Sequence, residues 1–188
     1  MISLTIYLHE VRARLKSVLV WSLSVGALIF FFSSIYSGFA DQAAVMNQMM
    51  EKFPPALSDA FGLGNVDLSS VMGYFGFLFI FAQLCLAIQA ANYGIGLVSI
   101  EETELTADFL LTRPGSRLQV LGSKLLAAGT ALLITNLFTW GISFLSLALY
   151  SGGNPWEKAR LVLVLSSIAV LQFWFVSIGL LISLLVRR

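Results

Sequence analysis

The sequence predicts an all-α, polytopic membrane bundle. It has about four transmembrane helices, an N-terminal interfacial helix and a helix on the loop between spans two and three. Three observations predict this. First, 58% of the 188 residues are apolar and 11% are charged, against about 25% charged in a soluble domain. Mean hydropathy is +0.88. Second, the runs 17–39, 71–98, 125–150 and 161–186 carry no charge, and each is long enough to cross about 30 Å of hydrocarbon. Third, the charges collect between these runs and at the chain ends. No soluble domain, linker or internal repeat stands out, so residues 1–188 read as one transmembrane domain.

Residues 1–16 come first. Leu4, Leu8, Val11 and Leu15 recur at helical spacing, with Glu10, Arg12, Arg14 and Lys16 on the remaining surface. That pattern suits a helix lying in the membrane interface. A plain helical extension of the first span is the alternative. His9 belongs at this interface. The first span, 17–39, ends in Gly38-Phe39-Ala40, which resembles a signal-peptide cleavage site. Its apolar region far exceeds the usual length of about 7–15 residues, so a retained helix is expected.

Residues 40–70 form the longest polar excursion. Asp41, Glu51, Asp59 and Asp67 outnumber Lys52 there. A helix is expected over 43–50, an interruption at Pro54-Pro55, and a short helix over 56–61 ending at Gly62. Met46, Met49, Met50 and Phe53 read as ordinary packing residues or as an outer-surface patch.

The second span, 71–98, has Gly73 and Gly76 for close approach and Gln83, Gln89 and Asn92 as uncharged polar groups. The third, 125–150, contains Asn136, and the fourth, 161–186, contains Gln172 near its middle. Polar side chains within spans hydrogen-bond across helices, worth about 0.6–2 kcal/mol each. A substrate site is the second reading of Gln83, Gln89 and Asn92, and a ligand that of Asn136; Gln172 reads as an intramembrane polar contact. Residues 151–158 read as a tight turn from Gly152-Gly153 and Asn154-Pro155.

The loop 99–124 holds Glu101, Glu102, Glu104, Asp108, Arg113, Arg117 and Lys124. At roughly 2.5–3.5 kcal/mol per charge at the bilayer centre, burying them would cost about 20 kcal/mol. The loop therefore lies outside the hydrocarbon. Ser99 and Glu102 match a capping box, and Glu101, Glu102 and Glu104 suit the positive end of a helix dipole. Pro114-Gly115 stops the helix after Arg113. Over 100–112, Leu105, Phe109 and Thr112 share one face, and Glu101, Glu104 and Asp108 another. Two readings fit: a solvated loop helix, or one face packed under the membrane domain with the acidic stripe presented to the cytosol.

Charge sets the topology. With the N-terminus inside, Arg12, Arg14, Lys16, Arg113, Arg117, Lys124, Arg187 and Arg188 are cytoplasmic, eight of the 11 basic residues. Only Lys52, Lys158 and Arg160 lie outside, as the positive-inside rule requires. Both termini are then cytoplasmic in a multi-pass cell-membrane protein. The net charge of +1 gives no basis for nucleic-acid binding. His9 is the only histidine and Cys85 the only cysteine, so neither a multi-histidine metal site nor an intrachain disulfide can form within one chain. Gly122-Ser123-Lys124 lacks the spacing of a phosphate-binding P-loop. No catalytic, cofactor-binding or metal-ligating set is assigned.

The run Glu102, Leu110, Leu111, Pro114, Ser116, Arg117, Gly122 and Lys124 resembles the permease subunits of ABC-2 type transporters. There an acidic helix precedes a Leu-Leu-x-x-Pro-x-Ser-Arg segment and a Lys before the third span. Residues 53–62, FPPALSDAFG, are similar to that family's first extracytoplasmic loop. So is the N-terminal helix carrying Glu10, Arg12 and Arg14. The resemblance implies a coupling helix at 100–112 docked on a separate ATP-binding cassette subunit, which supplies ATP and Mg²⁺. The implied interface comprises Glu101, Glu102, Glu104, Leu105, Asp108, Phe109, Arg113 and Arg117. It also implies a second permease copy or a related permease, and ATP-driven transport, in the export direction. Permeases of this family usually have six spans, against about four here. A fragment of a six-span permease, or a second chain supplying the last two spans, is expected. An integral membrane enzyme using the loop acids and a structural membrane subunit without transport are the competing classes.

Overall fold

The computed structural model describes residues 3–36, 70–97 and 117–185, with single positions 38, 48 and 54. The chain forms four helices there: α1 (Leu4–Ser34), α2 (Val71–Ile95), α3 (Arg117–Tyr150) and α4 (Lys158–Leu185). All four are long and apolar enough to cross a membrane. No strand occurs among the described residues. The helices expected within 43–61 and at 100–112 lie outside them.

α1 runs for 31 residues without a break, so residues 4–16 and the first span are one helix, the alternative reading of that segment. α3 starts at Arg117 and runs for 34 residues, taking in Lys124 rather than beginning after it. At 1.5 Å per residue these helices are about 46 and 51 Å long, well beyond about 30 Å of hydrocarbon. Both can therefore extend past the apolar layer as helix, so that the end groups a helix cannot bond internally fall where water can reach them.

α1 and α3 run parallel. Ser3 N–H donates to Ser123 Oγ at 2.9 Å near one end, and the rings of Phe30 and Tyr150 meet at 5.3 Å near the other. α2 and α4 also run parallel, through Gln83 Nε2 donating to Ser167 Oγ at 2.5 Å and, further along, Gly94 against Gly179. α2 runs antiparallel to α1: Tyr93 hydroxyl donates to Ser17 Oγ at 3.0 Å, and Tyr74 hydroxyl to the Phe32 carbonyl at 2.7 Å. The chain thus alternates direction at each crossing. α1 packs most extensively on α3, and α2 on α4.

Small side chains permit the α1–α3 approach. Ser123, Ala127, Ala131, Thr135, Thr139 and Ser143 fall every fourth residue on α3 and are buried. Thr135, Thr139 and Ser143 each donate to the carbonyl four residues earlier, at 3.2, 2.9 and 2.7 Å. The helix so absorbs its own hydroxyls and leaves a narrow face for neighbours. On α2 and α4 the equivalent device is glycine. A Cβ on Gly179 would stand 2.5 Å from the Ala91 carbonyl oxygen, and one on Gly94 would clash with the Val176 carbonyl.

Local signals set the helix ends. Ser70 caps α2, its hydroxyl accepting from Gly73 N–H at 3.0 Å. Gly152 and Gly153, with φ of 62° and 82°, end α3 in a left-handed turn that favours glycine. Two apolar clusters fill the interior. One, centred on Ile29, Phe75, Leu86 and Leu165, extends toward the 151–157 turn. The other, with Val18, Ala90, Leu97, Ala128 and Leu132, lies toward the opposite end.

Replacing Gly179 by Leu is expected to destabilise the chain by about 1–3 kcal/mol, because the α2–α4 backbones must part. Gly129 faces open space, so Gly129→Ala is expected to be neutral or to stabilise by up to about 1 kcal/mol. Thermal unfolding in detergent compares the two.

Candidate functional site

Of the expected loop interface, Glu101, Glu102, Glu104, Leu105, Asp108, Phe109 and Arg113 lie outside the described residues. Arg117 opens α3, and its side chain is likewise outside the description. What the structure does place is the base from which that loop springs, at the end of the bundle carrying Arg14, Lys16 and Lys124. We call this the basic end.

Three charged groups meet there inside the bundle. Arg14 on α1 is 8% exposed and Lys124 on α3 is 4% exposed. Both pair with Glu10 of α1. Arg14 Nη1 donates to Glu10 Oε2, one turn away. Lys124 Nζ lies 3.7 Å from Glu10 Oε1. A buried cation must be paired, since its desolvation is far costlier than that of a neutral group. One carboxylate between two cations meets this need.

The second helix joins through its C-terminal end. Lys124 Nζ donates to the Leu97 carbonyl at 3.4 Å. Leu97 lies in the turn just after α2, beside the partial negative charge of the helix C-terminus, which favours an ammonium group. The Arg14 guanidinium carbon sits 5.8 Å from the centre of the Tyr93 ring of α2, within cation–π range. The Tyr93 hydroxyl reaches back to Ser17 of α1. α1, the end of α2 and the start of α3 are thereby pinned at one place. Leu97 is the last described residue before 98–116 and Lys124 stands two turns into α3, so the two described segments beside 98–116 are tied to each other.

A second polar group lies deeper. Gln89 Nε2 of α2 donates to Thr135 Oγ1 of α3 at 3.0 Å and to the Tyr93 hydroxyl at 3.3 Å. Asn136 Nδ2 of α3 donates to Gln172 Oε1 of α4 at 2.8 Å. Gln83 reaches Ser167, as above. These four amides each make an interhelical hydrogen bond. Asn92 is instead exposed on the surface of α2.

Sequence reasoning missed the Glu10–Arg14–Lys124 cluster. It set Glu10 and Arg14 together with Arg12 and Lys16, opposite a leucine stripe. In the structure Glu10 and Arg14 turn inward. Leu4, Leu8 and Leu15 are 68%, 42% and 45% exposed, as befits lipid-facing positions. The signal that separates them was present: Glu10 and Arg14 are an i, i+4 pair of opposite charge, whereas Arg12 and Lys16 are an i, i+4 pair of like charge that must stay solvated.

In comparisons with known proteins, the sequence model of a family described as ABC-2 family transporter protein matches residues 4–188. No curated protein and no solved structure matches the chain.

Glu10→Gln leaves two buried cations without their carboxylate. It is expected to destabilise the folded chain by about 3–5 kcal/mol. Arg12 is exposed, so Arg12→Gln is expected to stay within about 0.5 kcal/mol of the parent. Thermal unfolding of the purified chain reads both.

Proposed function

Since the chain belongs to the ABC-2 transporter family, we propose that it is the permease subunit of an ATP-driven exporter whose ATP is hydrolysed by a separate subunit. In this reading the chain holds no nucleotide and performs no chemistry. ATP and Mg²⁺ bind the partner. The basic end faces the cytoplasm, both termini are cytoplasmic, and the protein resides in the cell membrane beside a second permease.

One observation supports the coupling role above the rest. The segments on either side of 98–116, Leu97 after α2 and the start of α3, are joined to each other and to α1 through Lys124 and Glu10. Force applied to the loop by an ATP-driven partner would reach three helices at once rather than dissipate in a slack tether. Glu101, Glu104 and Asp108 would supply the surface a partner grips, with Leu105 and Phe109 holding the loop helix to the membrane domain. Glu102, Arg113 and Arg117 complete the interface.

Reversing the acidic stripe separates this reading from a membrane enzyme or a structural subunit. Glu101→Lys with Asp108→Lys is expected to leave the chain in the membrane and to abolish stimulation of the partner's ATPase. Undiminished complex formation with undiminished stimulation would refute the docking role. An enzyme acting through Glu102 would retain activity as the isolated chain and lose it on Glu102→Gln.

A further inference from the structure

A polar layer divides the interior of the bundle. On α2, Gln89 falls between Leu86 of one apolar cluster and Ala90 of the other. On α3, Thr135 and Asn136 fall between Leu132 and Leu147. On α4, Gln172 falls between Ile168 and Phe175, and on α1, Ser22 falls between Val18 and Val25. Each helix therefore contributes a polar side chain between the two clusters. Gln89 is 0%, Gln172 3% and Ser22 5% exposed.

The layer is not self-satisfied. Buried polar side chains nearly always find a partner, and in hydrocarbon no water stands by to replace one. Yet Gln89 Oε1, Asn136 Oδ1, Gln172 Nε2 and Ser22 Oγ have no hydrogen-bond partner among the described residues. The Asn136–Gln172 pair is the most telling. Two facing amides can exchange two hydrogen bonds. These exchange one, Nδ2 to Oε1 at 2.8 Å. The leftover donor, Gln172 Nε2, and the leftover acceptor, Asn136 Oδ1, sit on the same two amides, and Gln89 Oε1 adds an acceptor on α2. α3 and α4 otherwise touch sparsely, so this seam parts more readily than α1–α3 or α2–α4.

We propose that the Asn136–Gln172 seam is a binding site within the membrane for a small neutral group that both accepts and donates hydrogen bonds. The group accepts from Gln172 Nε2 and donates to Asn136 Oδ1. Water has this chemistry, and so does a primary amide or hydroxyl on an otherwise apolar cargo. That the site lies on a transport path rests on the permease reading. Binding itself does not, and both tests below use the full chain alone in detergent.

Butanamide serves as the cargo-like probe. It is expected to raise the unfolding midpoint of the parent by a few degrees and to leave Asn136→Leu/Gln172→Leu unmoved. Without probe, that double variant is expected to match or exceed the parent midpoint, since removing both partners of a half-made pair leaves nothing orphaned. Gln172→Leu alone is expected to lower it, because Asn136 Nδ2 then loses its acceptor. Radiolytic labelling in ¹⁸O water tests for water at the same place, on the parent alone, so it is decisive whether or not a variant folds. Phe175 and Trp140 lie one turn from Gln172 and Asn136 and are the expected labelled side chains. Label there without a butanamide shift supports the site with water as its only occupant. No label and no shift would overturn it, and so would an equal shift in parent and double variant. Neither failure touches the permease reading, which stands or falls on the loop variants.

Discussion

Burying a charge forces a partner on it, and at the basic end one carboxylate meets that demand for two cations. Glu10 holds Arg14 along its own helix and Lys124 across the α1–α3 contact. The pairing is available only because α1 and α3 run parallel and both exceed the span of the hydrocarbon. Were α3 to begin after Lys124, the lysine would belong to the loop and Glu10 would face the bundle without it. The same ammonium group then collects the Leu97 carbonyl at the end of α2. Three helices are registered against one another at the end of the bundle beside that loop.

Away from that end, packing relies on smallness rather than on hydrophobic attraction. Lipid tails are as apolar as leucine, so helices gain by close contact and by hydrogen bonds. α3 meets α1 with alanines and with hydroxyls bonded to their own helix. α2 meets α4 with Gly94 and Gly179. The large apolar side chains of α3, such as Leu133 and Leu137, are turned outward. This is the reverse of a soluble protein, and it explains how Thr135, Thr139 and Ser143 are fully buried at no loss of hydrogen bonding.

Much of the fold could be read from charge alone. Most of each uncharged run falls in one of α1–α4, and Gly152-Gly153 marked the turn, expected over 151–158 and found over 151–157. The polar amides stood out because an amide in an apolar run has few ways to be satisfied; Gln83, Gln89, Asn136 and Gln172 bond across helices, whereas Asn92 is exposed. Their pairing, Gln89 with Thr135 and Asn136 with Gln172, could not be read, since it depends on helix register and direction. The inward turn of Glu10 and Arg14 escaped for a related reason. In a membrane protein the apolar stripe of a helix faces lipid, so the moment that locates a core in a soluble bundle points the other way. Residues 4–16 follow the alternative reading, a plain extension of the first span, and α3 starts before Lys124 rather than after it, since a paired charge need not end a helix. The loop that carries most of the expected interface lies outside the described residues, and the role proposed for it rests on sequence and on the joined segments that flank it.

The central claim is that this loop is presented to the cell interior. Placing a single cysteine at Glu104, in a chain with Cys85→Ser, and challenging whole cells with a membrane-impermeant maleimide tests it most directly. Labelling only after the cells are permeabilised is the predicted result. Labelling of intact cells would put the basic end outside and contradict the proposed coupling to an internal ATPase.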